Sequence, residues 1–73
     1  MKYIIVKGYI CEMPFLFPRL VDHDDFYEMI KSEGPVVSAG FVNEEGYAHG
    51  KSTSLKIGSR PQDTEIIDRF MAE

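Results

Sequence analysis

From Tyr3 to Ile10 the chain is rich in Tyr, Ile and Val and then meets Glu12-Met13-Pro14, a pattern that predicts a strand. Apolar side chains fill its even positions (Ile4, Val6, Ile10) and its odd ones (Tyr3, Ile5, Tyr9), where a half-exposed strand would alternate. Both faces therefore need cover. Phe15 to Phe17 lies between Pro14 and Pro18, which remove ladder donors and restrict their neighbours. It reads as an edge strand or an extended loop, and a connector packing its phenyl rings is the expected form.

Asp22 then stands as a helix N-cap, with Asp24 and Asp25 in the first turn, where carboxylates complement the positive end of the dipole. Val21 and Phe26 have the spacing of a hydrophobic staple. The helix is expected from His23 to about Glu33, with Phe26, Met29 and Ile30 on its apolar face, and Gly34-Pro35 ends it. Val36 to Val42, the turn Asn43-Glu44-Glu45-Gly46, and Tyr47 to Ile57 together predict a β-hairpin. Because Lys51-Ser52-Thr53-Ser54 is polar throughout, the return strand should run near an edge or carry a bulge at Gly50. Ser59 and Gln62 form a capping-box pair around Pro61, opening a terminal helix whose Ile66, Ile67, Phe70 and Met71 make one stripe, expected to lie against the sheet.

The order is strand, connector, helix, strand, strand, helix. It gives one α+β domain over residues 1–73: a two-layer sandwich of a mainly antiparallel three- to four-stranded sheet with both helices on one face. With one face covered by helices, Tyr3, Ile5 and Tyr9 are left to find another partner. They are the candidate interface, for a second copy or another protein; the competing possibility is that Phe15 to Phe17 folds over them.

Composition sharpens this picture. At 73 residues, with 44% hydrophobic and 27% charged positions, the chain is of globular type. A chain so short buries only about 60% of its unfolded surface, and oligomerisation is a common remedy, so a homodimer is expected. Eight Lys and Arg against twelve Asp and Glu leave a net charge of −4, which disfavours non-specific binding to phosphate backbones. A single cysteine, Cys11, excludes an intramolecular disulfide and a thiolate zinc site. No apolar run approaches the ~20 residues of a membrane span, and charge interrupts the N-terminal stretch too early for a signal peptide. A cytoplasmic location, away from any membrane, is expected.

Several local patterns touch on chemistry. Gly50-Lys51-Ser52-Thr53 has the tail of a phosphate-binding loop, but the glycine required five residues earlier is Glu45, and Gly46 is only four away. Asp22-His23-Asp24-Asp25, with His49, offers metal-ligand types, although helix capping explains the acids and His23 is expected as an exposed first-turn histidine. His49 shares a strand side with Thr53 but not Ser52, and no nucleophile-elbow pattern surrounds either residue. No catalytic, cofactor-binding or metal-ligating residue is assigned, and the chain is not expected to be an enzyme. His49, Lys51, Thr53, Lys56 and Arg60 make a candidate polar patch for a phosphate or an acidic partner, or they protect an edge strand.

Val36-Val37-Ser38-Ala39-Gly40-Phe41, Gly50-Lys51-Ser52-Thr53-Ser54-Leu55 and the segment from Ser59-Arg60-Pro61-Gln62 through Ile67 resemble small uncharacterised proteins encoded by tailed bacteriophages. The similarity covers about the C-terminal half and transfers no catalytic residue. It implies the cytoplasm of an infected bacterium and an accessory role, often by binding a phage or host protein. The expected function is a non-catalytic interaction module acting as a homo-oligomer. The alternative is a nucleic-acid-associated protein using the basic Gly50 to Arg60 segment.

Overall fold

The computed structural model describes residues 1–72 and builds its main sheet outward from β1 (Lys2–Val6). β1 pairs antiparallel with β2 (Met13–Phe17) on one side and β3 (Val36–Val42) on the other. β4 (Ala48–His49) completes the order β2-β1-β3-β4. A central strand is flanked on both edges and covered on both faces, which is why its residues are apolar at every position from Tyr3 to Val6.

Alternate residues of β1 enter different cores. Ile4 and Val6 join Phe17 and Ala39 beneath Phe26, Tyr27 and Ile30 of α1 (His23–Ile30). Tyr3 and Ile5 join Ile67, with Ile66, of α2 (Asp63–Ala72). The α+β class is as expected, but each helix covers its own face of β1 rather than both sharing one. The consequence for the candidate interface is direct: Tyr3 and Ile5 are 0% exposed. Each such burial contributes about 1.5–3 kcal/mol, so neither side chain is free to meet a partner.

Only Tyr9 of that set reaches solvent. β1 stops at Val6, where Gly8 donates its N–H to Val6 O at 3.0 Å and the chain turns so tightly that a Cβ at Gly8 would sit 2.5 Å from Cys11 O. The expected strand to Ile10 is therefore a loop, with Tyr9 and Ile10 both more than nine-tenths exposed. The proline-fenced segment takes the other form weighed for it, an edge strand rather than a connector. Pro14 lies opposite Ile5, and its missing N–H offers nothing to a further strand at that edge.

The long return strand also divides. Asn43 Oδ1 accepts the N–H groups of Glu45 (2.9 Å) and Tyr47 (3.0 Å), Gly46 turns at φ +89°, and β4 follows. At Gly50, φ +77° turns the chain out of the sheet, so a break replaces the expected bulge. β5 (Lys51–Ser52) then pairs with β6 (Ile57–Gly58) as a separate two-stranded sheet. Ser52 Oγ accepts the Leu55 N–H at 3.1 Å to hold the intervening turn, and Lys56 adopts φ +58° within it.

Both helix starts differ in detail from expectation. Asp22 has the extended backbone of an N-cap but makes no side-chain cap bond, and its carboxylate lies 3.7 Å from Lys2 Nζ. α1 ends at Ile30 and one 3₁₀ turn, Lys31–Glu33, completes the expected span. At α2 the backward half of a capping box is made one residue later than expected: Asp63 Oδ2, not Gln62, accepts a backbone N–H three residues before it, that of Arg60, at 2.9 Å. No helix among the described residues is long and apolar enough to cross a membrane.

Candidate functional site

The patch expected from the basic run does not converge. Arg60 leaves it for a partly buried network: its Nε donates to Asp63 Oδ1 at 3.0 Å, and Nη2 and Nη1 donate to Glu12 at 2.7 and 3.2 Å. Tyr3 Oη donates to Asp63 Oδ2 at 2.5 Å. Glu12, on the loop after β1, is thereby fastened to the start of α2. The Arg60 hydrogen bonds hold the Glu12 carboxyl below its ordinary range, and Glu12 in turn raises Arg60. Burial, and then the Asp63 carboxylate, push the Tyr3 phenol well above its ordinary value. With Arg60 paired on both sides and Tyr3 kept protonated, this network is a structural clasp.

Lys51, Thr53 and Lys56 are exposed on the β5–β6 hairpin. Lys51 and Thr53 line a small polar cleft of about 410 Å³ with Lys2, Asp22 and His23. His49 stays on β4, its ring 6.0 Å from that of Phe41 and inclined to it by 29°. His49 and Thr53 thus fall on opposite sides of the Gly50 break, and among the described residues no Ser, Thr or Cys side chain is hydrogen-bonded to a histidine.

His23 corrects a further expectation. Its first-turn position suggests an exposed ring, yet it is buried, edge-on to Phe17 (5.4 Å) and Phe41 (5.6 Å). Its Nε2 lies 2.9 Å from Gly40 O, and since a carbonyl only accepts, Nε2 carries the proton. Phe26 stacks on Phe17 at 4.2 Å, so the two side chains together dock α1 on the sheet. The inward turn of His23 leaves Asp22, Asp24 and Asp25 as an exposed group with carboxylate oxygens within 4.8 Å of one another. Asp24 Oδ1 accepts the Asp25 N–H at 3.0 Å, the local capping role of such acids.

Burial lowers the His23 pKa, with the Lys2 charge adding to that, against the Gly40 hydrogen bond and the charges of Asp22 and Asp24. The folded state then binds protons less readily than the unfolded chain, whose histidine titrates near pH ~6.5. Stability is full above that pH and is lost progressively as pH falls from it through the lower folded-state value. A urea titration series from neutral to mildly acidic pH is expected to show this loss in the wild type and a flatter profile in His23→Gln. Parallel profiles would remove His23 as the cause.

A broader concave feature lies elsewhere, at the Lys2 end of the sheet. It is an open groove of about 920 Å³ between the β3–β4 turn and α2. Met1, Leu16, Val42, Ile67 and Met71 supply apolar lining. Phe41 also lines it, with the Arg19 guanidinium 5.9 Å from its ring centre, and Glu44 and Asp68 stand along the lining near Gly46. The helix stripe explains why the groove is open. Ile66 and Ile67 pack on the sheet, while Phe70 and Met71, one turn later, remain 54% and 66% exposed.

Sequence reasoning assigned that stripe wholly to the core and so missed the groove. The available signal was the stripe's reach: Phe70 and Met71 fall at the end of a ten-residue helix, a turn beyond Ile66 and Ile67, which already meet the sheet. Comparison with protein-family models, with curated proteins and with solved structures finds no match, so the groove and the polar clasp are read from their own geometry.

Proposed function

We propose that this chain is a non-catalytic protein-interaction module that works as a homo-oligomer, with the groove beside α2 as its binding surface. One observation carries the reading: Met1 and Met71 line an open apolar groove while more than half exposed, and Phe70 on the same helix as Met71 is more than half exposed as well. Apolar surface gathered in one place and edged by charge is typical of protein contact sites, and methionine adapts readily to a partner's shape. An accessory role of the kind implied by the bacteriophage resemblance fits such a module.

The nucleic-acid alternative has less support. Arg60 is neutralised by Glu12 and Asp63, which leaves Lys51 and Lys56 of the basic segment on a chain of net charge −4.

Native mass spectrometry of gently purified protein tests the reading. The wild type is expected to retain a second copy or another protein, and Met71→Lys, a change at an exposed position, to lose most of that bound mass. Retained nucleic acid, or a bound protein equally retained by Met71→Lys, would overturn it.

A further inference from the structure

The groove has a counterpart at the other end of the same strand. Beyond Val6, the loop after β1 holds Tyr9 and Ile10 side by side in solvent. Its base is fixed three ways. Lys7 donates its N–H to Pro35 O at 2.9 Å, Gly8 closes the turn on Val6 O, and Glu12 is gripped by both terminal nitrogens of Arg60. Two large apolar side chains on a loop anchored at both ends form a pre-organised knob, and tyrosine is a frequent anchor at protein contacts.

The groove begins at the opposite end, where Met1 precedes β1 and Phe41 lies across from Lys2. From Lys2 to Val6 the strand spans four steps, roughly 13 Å. Knob and groove therefore lie at opposite ends of β1, too far apart to meet within one copy. Their charges are complementary as well. Lys7 is exposed beside the knob, while Glu44 and Asp68 at the groove are exposed and in no ion pair among the described residues. The other cations at the groove are already engaged: Arg19 sits against Phe41, and the Met1 ammonium donates to Val42 O at 3.1 Å.

We propose that copies of this chain associate head to tail, the Tyr9-Ile10 loop of one seated in the groove of the next. The inference rests on the interaction-module reading and names its partner as a second copy. Such a contact is heterologous: each copy offers one knob and one groove, so assembly continues into a chain or closes as a ring rather than stopping at a twofold dimer. It also gives the apolar loop a role that the buried Tyr3 and Ile5 cannot share.

Two single-surface variants decide the matter by sedimentation velocity. Tyr9→Asp with Ile10→Asp removes the knob and keeps the groove; Met71→Asp impairs the groove and keeps the knob. All three positions are exposed, so circular dichroism should match the wild type. The wild type is expected to form species larger than a dimer as concentration rises, each variant to stay monomeric, and their equimolar mixture to yield a 1:1 heterodimer and nothing larger. A mixture that stays monomeric would overturn head-to-tail assembly, as would a knob variant that assembles like the wild type. A wild type that is monomeric throughout overturns it together with the homo-oligomer part of the broader reading, while the interaction-module part is judged separately by whether another protein is retained in the native mass spectrum.

Discussion

Asp63→Ala is expected to unfold most of the protein at room temperature. Asp63 is fully buried and accepts from Tyr3 Oη, the Arg60 backbone N–H and Arg60 Nε at once. Removing it strands a buried phenol and half-strands a guanidinium, at the same time detaching the start of α2. Breaking a buried ion pair from one side costs about 3–5 kcal/mol. A domain of this length has total stability of order 0.05–0.15 kcal/mol per residue, so the loss is comparable with the whole. Asp63→Asn keeps the volume and one acceptor oxygen, and it should retain a cooperative transition at reduced midpoint. Urea unfolding followed by circular dichroism separates the two. A loss below about 1 kcal/mol for Asp63→Ala would mean that the clasp adds little to the fold.

The same clasp has a pH signature at its outer end. Glu12 titrates below its ordinary value because Arg60 donates to it. Its contribution is present above the ordinary carboxylate range and is lost as pH falls through the depressed value. The effect should be modest, since the Glu12 side chain is 36% exposed and solvent screens the pair.

Gly40→Ala is the second change expected to be severe. A Cβ at Gly40 would lie 2.5 Å from His49 O and 3.3 Å from Tyr3 Cε1. The nearer obstacle is backbone of β4, which cannot swing aside as a flexible side chain can. The strand must shift or the pairing of Phe41 with His49 must open. Overpacking of this type costs about 1–3 kcal/mol, and a backbone obstacle places it at the upper end. Hydrogen exchange should quicken first at Ala48 and His49, and the groove should lose a wall with them. A Gly40→Ala protein with wild-type stability and exchange would show that β4 is free to retreat.

What could be read from the sequence was whatever depends on neighbours in the chain. The two-faced pattern of Tyr3 to Val6 announced a strand that needs cover on both faces, Gly34-Pro35 closed the first helical region, and Ile66, Ile67, Phe70 and Met71 marked α2. What escaped depends on long-range partners. Nothing local tells α2 to take the face opposite α1, so Tyr3 and Ile5 were read as unpartnered although Ile67 covers them. Arg60 looked like free positive charge because Glu12, its partner, is 48 residues away. His23 looked exposed because its setting is made by Phe17 and Phe41, from two different strands. Gly50 drew notice as a bulge; its positive φ instead splits the return strand and sends Lys51 and Thr53 to a separate hairpin. The groove followed from these long-range choices, since it opens where α2 outruns the sheet.

Site-specific photo-crosslinking in the expressing cell addresses the central claim, that the ends of β1 are protein-binding surfaces, most directly. A photoreactive phenylalanine analogue is placed at Met71 in the groove, at Tyr9 on the loop, and at Lys56 on the β5–β6 hairpin. Protein adducts at Met71 and Tyr9, with few at Lys56, are the expected result, and linkage of Met71 to a peptide containing Tyr9-Ile10 would identify the second copy. Adducts confined to Lys56, or nucleic acid captured there while Met71 and Tyr9 capture nothing, would contradict it.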